Sequence, residues 1–476
     1  MPSLKRALPA AVLMSFSMPV MAQDMFRDSQ LPGARLAPLP LGGTHQVTSG
    51  SAFNPDISVI VDTVYFNEFS GHVDDPAGFE AGHDHGHGGH DHGHDLDEGF
   101  NLREIELAFS ASVDNYFDAF VMLALDEHNI EVEEAYATTR NLPAGLQIKA
   151  GKFLSDIGYI NSQHPHDWAF VDRPLVNEFL FGDHGLQEKG VQLTWMPNTP
   201  FYSRFGVELL QGETSGIAAY EGSGRVSHHT VLPGELGNQL DPGHDPDRPA
   251  RQRWRADTPF DDVSGPRLIT GFAKFGPDLG YDHAAQFGLS YGYARAFQRD
   301  DLHSSLRYET WDGDAWFAGV DAVYKYDAGR SFGHGDLTLQ GEYFYRQIDA
   351  DFREFKFSGV NNGVLEETKH LARKSKQDGL YLQGVYGIAP RWQLGLRAEA
   401  LGMTNDNAQV EDDGFASFGT SYRYAGNVTF RPTEFSMLRG QVNRSDFATE
   451  DGDDGDGWSF MLQFQMALGV HGAHEF

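Results

Sequence analysis

Residues 83–95 read HDHGHGGHDHGHD, six histidines and three aspartates separated only by glycine. Neutral imidazole and carboxylate are the ligands that Zn²⁺, Ni²⁺ and Cu²⁺ prefer, and glycine lets the backbone bring several of them onto one ion. The candidate metal ligands are therefore His83, Asp84, His85, His87, His90, Asp91, His92, His94 and Asp95. Their spacing defines no closed coordination set. The tract reads as a flexible collector of a divalent transition metal, zinc foremost, held as ligand rather than as a required cofactor. A second group comprises His164, His166, Asp167 and Asp172, with Asp183 and His184 beyond. Histidines in a folded loop commonly satisfy local hydrogen bonds instead, so metal binding by His164, His166 and His184 stays open.

These residues sit between segments that alternate with period two. Trp458, Phe460, Leu462, Phe464, Met466, Leu468 and Val470 alternate with Ser459, Met461, Gln463, Gln465, Ala467 and Gly469. One face suits lipid and the other a lumen. Such segments fall at 56–66, 101–113, 116–128, 130–140, 145–153, 189–196, 201–211, 268–276, 284–297, 315–326, 336–347, 379–388, 391–401, 415–430, 435–445 and 457–470. Every second connection is short and rich in turn formers, as at Asp114-Asn115, Pro197 to Pro200 and Ala389-Pro390. The long ones are 67–100, 154–188, 212–267, 298–314, 348–378, 402–414 and 446–456. A transmembrane barrel sorts its loops in this way. The expected fold is all-β, a transmembrane antiparallel β-barrel of about 16 strands with long extracellular loops and short periplasmic turns. Loop 67–100 then carries the histidine tract outside the cell. Loop 212–267, with Arg248, Arg251, Arg253 and Arg255, reads as a solvated loop.

The start of the chain fits export. Lys5 and Arg6 precede a mostly apolar stretch, and Val20-Met21-Ala22 suits cleavage of a signal peptide. The expected organisation is a signal peptide over 1–22, a periplasmic N-terminal segment over 23–55 and the barrel over 56–476. Aromatics make up 13% of the chain, cysteine is absent and glycine occurs 54 times. Mean hydropathy is only −0.43. A barrel reconciles these values, because each strand needs apolar residues on one face alone. The formal charge of −32 repels nucleic acid and draws cations towards any opening.

Several motifs resemble the phosphate-selective porin (porin O and P) family. They are Arg103-Glu104-Ile105-Glu106-Leu107, Glu134-Ala135-Tyr136 and Gly151-Lys152-Phe153, then Phe170-Val171-Asp172-Arg173-Pro174-Leu175 and Lys189-Gly190-Val191-Gln192-Leu193. The resemblance implies a trimeric porin of sixteen strands whose pore is narrowed by an inward-folded loop. No ladder of basic residues is evident along this acidic chain, although that family uses one to select anions. The histidine-rich loop also resembles that of zinc-regulated outer-membrane receptors.

These readings predict a porin-like channel for small solutes in the Gram-negative outer membrane, aiding divalent metal (zinc) uptake through the histidine-rich external loop. The alternatives are a metal-binding receptor without an open pore and an anion- or phosphate-selective porin. An enzyme is not expected, since no hydroxyl nucleophile pairs with a histidine in a recognisable pattern. The expected partners are outer-membrane lipid and lipopolysaccharide, divalent metal ions and further copies of the chain in a homotrimer.

Overall fold

The structure is a computed structural model. It describes residues 55–71, 73, 75–79, 96–126, 130–182, 184–231, 251–302, 307–358, 364–407, 416–449 and 455–469. The first strands are β1 (Asp56–Ser70), β2 (Gly99–Ser112), β3 (Phe117–Leu125), β4 (Ile130–Thr139), β5 (Leu146–Leu154), β6 (Gln187–Trp195) and β7 (Tyr202–Leu210). A separate hairpin, β8 (Arg225–Val231) with β9 (Arg251–Asp257), follows. The wall continues with β10 (Leu268–Gly276), β11 (His283–Leu302), β12 (Arg307–Tyr326), β13 (Leu337–Ser358), β14 (Val364–Ala389) and β15 (Trp392–Asn407). It ends with the two-residue β16 (Ala416–Ser417), then β17 (Ser421–Thr433), β18 (Ser436–Phe447) and β19 (Gly455–Gly469).

All pairings along the wall are antiparallel, β7 joins β10 across the β8–β9 hairpin, and β1 pairs with β19 to close the sheet. Leaving aside β16, sixteen strands form the barrel, and their positions match the sixteen alternating segments of the sequence. Closure leaves no sheet edge unpaired, which lipid requires. Among the described residues no helix is long and apolar enough to cross a membrane.

Alternation sets the two faces. On β19, Trp458, Leu462, Phe464, Met466 and Leu468 are exposed outwards, while Met461, Gln463 and Gln465 are buried inside. Exposed Tyr116, Phe117, Phe201, Tyr202, Tyr281, Phe332, Trp392 and Phe435 mark the end with the short turns, an aromatic girdle at an interface.

Three expectations change. Loops 298–314 and 348–378 are mostly strand: β11 and β12 run 20 residues each, β13 runs 22 and β14 runs 26. Their upper parts, such as Glu366, Glu367, Lys369 and His370, carry polar residues on both faces. The apolar alternation therefore fades where a strand rises above the lipid, although its ladder continues. Loop 212–267 contains the β8–β9 hairpin instead of lacking regular structure.

Candidate functional site

The connection between β5 and β6, residues 155–186, folds into the lumen and is buried over most of its length. The sequence placed it among the outer loops, while the family resemblance implied an inward-folded loop without saying which. Its helix α1 (Leu175–Phe181) buries Leu175, Val176, Asn177, Phe179, Leu180 and Phe181 against β13, β14 and β15. Phe181 meets the rings of Phe317 and Phe344 edge-on, each at 5.0 Å between centroids. The barrel thus has an apolar core inside its lumen. Gly158 takes φ +58°, where a side chain is strained, and a Cβ there would collide with Glu342.

Among the charged groups that hold the loop, three anchors involve its own ionisable side chains. At its start Asp156 accepts from Arg204 Nη2 at 2.6 Å and Gln192 Nε2 at 2.9 Å, while Ser155 donates to Glu208 at 2.5 Å. Burial opposes the charge on Asp156, but Arg204, Lys149 and Lys274 hold its carboxyl far below the ordinary range.

Asp172 forms the far anchor. It accepts from Arg397 Nη2 at 2.5 Å, Gln441 Nε2 at 2.7 Å and Asn443 Nδ2 at 2.9 Å, with Arg423 Nη1 at 3.1 Å. Burial is again outweighed, here by Arg397 and Arg423, and the Asp172 carboxyl lies far below the ordinary range. Glu399 bridges the same two arginines and accepts from the Leu175 N–H at 2.6 Å. The absence of a basic ladder is therefore corrected. Arg397, Arg423 and Arg439 stand inward on β15, β17 and β18, but the first two are neutralised by Asp172 and Glu399. Net charge conceals this arrangement, because it does not record which face a residue takes.

Between these anchors lie His164 and His166. His164 Nε2 is 3.2 Å from Glu134 and its Nδ1 is 3.3 Å from Glu133. His166 Nδ1 is 2.7 Å from Glu106 and its Nε2 is 3.3 Å from Asp167. The two rings stack with centroids 5.8 Å apart. Burial disfavours charge on both. For His164 the Glu133 and Glu134 carboxylates prevail and raise it well above the ordinary imidazole value. For His166 the field of Glu106 and its hydrogen bond prevail, and the shift is also upward.

Two bulges build this corner. Arg103 is the extra residue of β2 opposite the Asp62–Thr63 step, and Glu133 that of β4 opposite Met122–Leu123. Bulges re-aim side chains. Here the consecutive Glu133 and Glu134 are both buried, and Arg103 reaches Asp62 and the Val171 carbonyl. Regular alternation gives no signal for either.

The predicted ligands His83, Asp84, His85, His87, His90, Asp91, His92, His94 and Asp95 lie outside the described residues. Asp183 does too. Among the described residues no group of histidine and carboxylate side chains is arranged to hold a metal ion. His164 and His166 are brought together, with carboxylates as their neighbours. With the loop docked, every one of the sixteen strands has buried inward side chains, from Asp62 on β1 to Gln463 on β19.

No family model matches the chain. It is 34% identical over 452 residues to an uncharacterized protein of Aquifex aeolicus, spanning 91% of this chain and 83% of the relative. A monosaccharide porin of Halomonas sp. is 25% identical over 146 residues, 30% of this chain and 38% of that protein. Among solved structures, the outer membrane channel DcaP of Acinetobacter baumannii superimposes with a TM-score of 0.48 at 11% identity, covering 87% of this chain and 96% of that one.

Proposed function

We propose, on the premise that this chain belongs to the family of that Aquifex aeolicus protein, that it is a passive channel for small solutes in the Gram-negative outer membrane. The observation that carries this reading is a closed barrel with a polar, charged interior and a loop folded into its lumen. Such a barrel needs only a gradient and a constriction to pass solutes selectively. Within this reading the tract His83–Asp95 collects zinc or a related divalent ion at the mouth, and the ion enters down its gradient. Its support is the ligand chemistry of the tract. The barrel sits among lipid and lipopolysaccharide and assembles as the homotrimer that the sequence resemblance implies.

One observation favours the reading without an open pore. The loop is docked inside the lumen and inward side chains are buried on all sixteen strands, so a receptor that retains its metal would have this appearance. The anion- or phosphate-selective reading draws on the inward row of Arg397, Arg423 and Arg439. The test is single-channel conductance of the purified full chain in planar bilayers, with and without micromolar zinc. Discrete conductance steps support the channel, and their absence under all conditions supports the receptor.

A further inference from the structure

We infer that His164 and His166 form a proton-held latch on the lumen loop: charged, they keep its first half docked on β2 and β4, and on losing their protons they release it and conductance rises. The inference rests on the channel reading above and assigns that channel its regulation.

The geometry sets these histidines apart from the other two anchors. Asp156 and Asp172 are held by arginines, which stay charged at any physiological pH. Of these three anchors, the middle one uses histidines, which titrate near neutrality. A neutral imidazole has one N–H and one bare lone pair. Each ring has one nitrogen hydrogen-bonded to a carboxylate, His164 Nε2 to Glu134 and His166 Nδ1 to Glu106, and a second carboxylate, of Glu133 or Asp167, 3.3 Å from its other nitrogen. In the neutral form one nitrogen of each ring would turn its lone pair on a carboxylate oxygen. The corner therefore favours the imidazolium over the neutral ring.

The surrounding groups reinforce this preference. β2 contributes Glu104, Glu106 and Arg103, and β4 contributes Glu133 and Glu134. Glu104 is 5% exposed, and neither of its carboxylate oxygens has a hydrogen-bond partner. Arg103 is engaged by Asp62 of β1. Asp167 adds a further carboxylate from the loop, with Arg431 of β17 acting on it, and His184 acts on Glu133. β19 offers only neutral Gln465, which donates to the His166 carbonyl at 3.2 Å. The bulge at Glu133 doubles the carboxylates that one strand can present here.

The sign follows from the upward shift of both histidines on docking. The latch is fully held below the ordinary imidazole value, which the free loop would show. It is lost as pH rises through the raised, docked value.

The experiment is single-channel conductance of the full chain in planar bilayers from about pH 6 to about pH 9, upward from the ordinary imidazole value. Wild type is expected to step up at least about twofold across this range. The double variant H164N/H166N should sit at the upper level throughout, and E106Q should move the step to lower pH. A heat-modifiable band in SDS confirms that each variant has assembled. Equal conductance of wild type at every pH, or a step that survives H164N/H166N, overturns the latch while leaving the channel standing. No conductance from wild type or the double variant at any pH overturns the channel itself.

Discussion

Asp172 and Arg397 are 225 residues apart in sequence, yet the arginine Nη2 lies 2.5 Å from the carboxylate. Both are withdrawn from solvent, and Arg423, Gln441 and Asn443 complete the shell. A charge buried in this way is stabilised only while its partners remain.

Asp172→Asn should therefore leave Arg397 and Arg423 short of a counter-charge and weaken loop docking by about 3–5 kcal/mol. The wall makes its own ladder and should assemble unchanged. Limited proteolysis within 155–186 is expected to become fast while heat-modifiability in SDS is retained. Equal protection in the variant would show that the apolar core alone holds the loop.

Acid should act on the same anchor. The Asp172 carboxyl is depressed by Arg397 and Arg423 against the cost of burial. Its contribution is present above the ordinary aspartate value and is lost as pH falls through the depressed one. Docking at this end should thus persist through mild acid, so proteolytic protection around 172–181 should be flat from about pH 7 to about pH 5. Loss of protection within that window would mean that another group governs the anchor.

Phe181→Ala should cost about 3–5 kcal/mol of docking free energy, the usual penalty for emptying a buried phenylalanine site. The ring fills the space between Phe317 and Phe344 at 5.0 Å from each. Conductance of this variant should rise at every pH, in contrast to a variant of the histidine latch. An unchanged current would place the constriction elsewhere in the lumen.

The histidine tract should bind zinc independently of the barrel. Calorimetry on the full chain and on a deletion of 83–94 should show binding only in the former. That binding should weaken below about pH 6.5, where imidazolium no longer coordinates. Equal zinc uptake by both proteins would reduce the tract to a solvated loop.

Ion preference tests the electrostatic argument. A formal charge of −32 should favour cations, with the preference weakening at high salt as the field is screened. A reversal potential favouring chloride would mean that Arg397, Arg423 and Arg439 dominate the path.

The wall was legible because lipid enforces a strict period: the alternation from Trp458 to Leu468 defined β19 directly. Where lipid stops, the signal stops, and the tops of β13 and β14 read as loops although their ladder continues. The site was less legible. The types of His164, His166 and Asp172 were visible, but their partners lie tens to hundreds of residues away, on faces that period-two reasoning assigns only when alternation is unbroken. Bulges at Arg103 and Glu133 break it at the positions that matter. The inward arginines were hidden by the acidic total.

The partners of Asp172 also bear on how the molecule is made. Arg397, Arg423, Gln441 and Asn443 all belong to the last strands of the chain, whereas the loop itself is synthesised before them. The loop cannot take its seat until those strands have joined the wall, and their seam with β1 completes the cylinder. Its final contacts have high contact order and come late. Seating of the loop is thus a record of completed assembly: a barrel left open at the β1–β19 seam would also lack its inner furnishing, and would be open to proteases at both places at once.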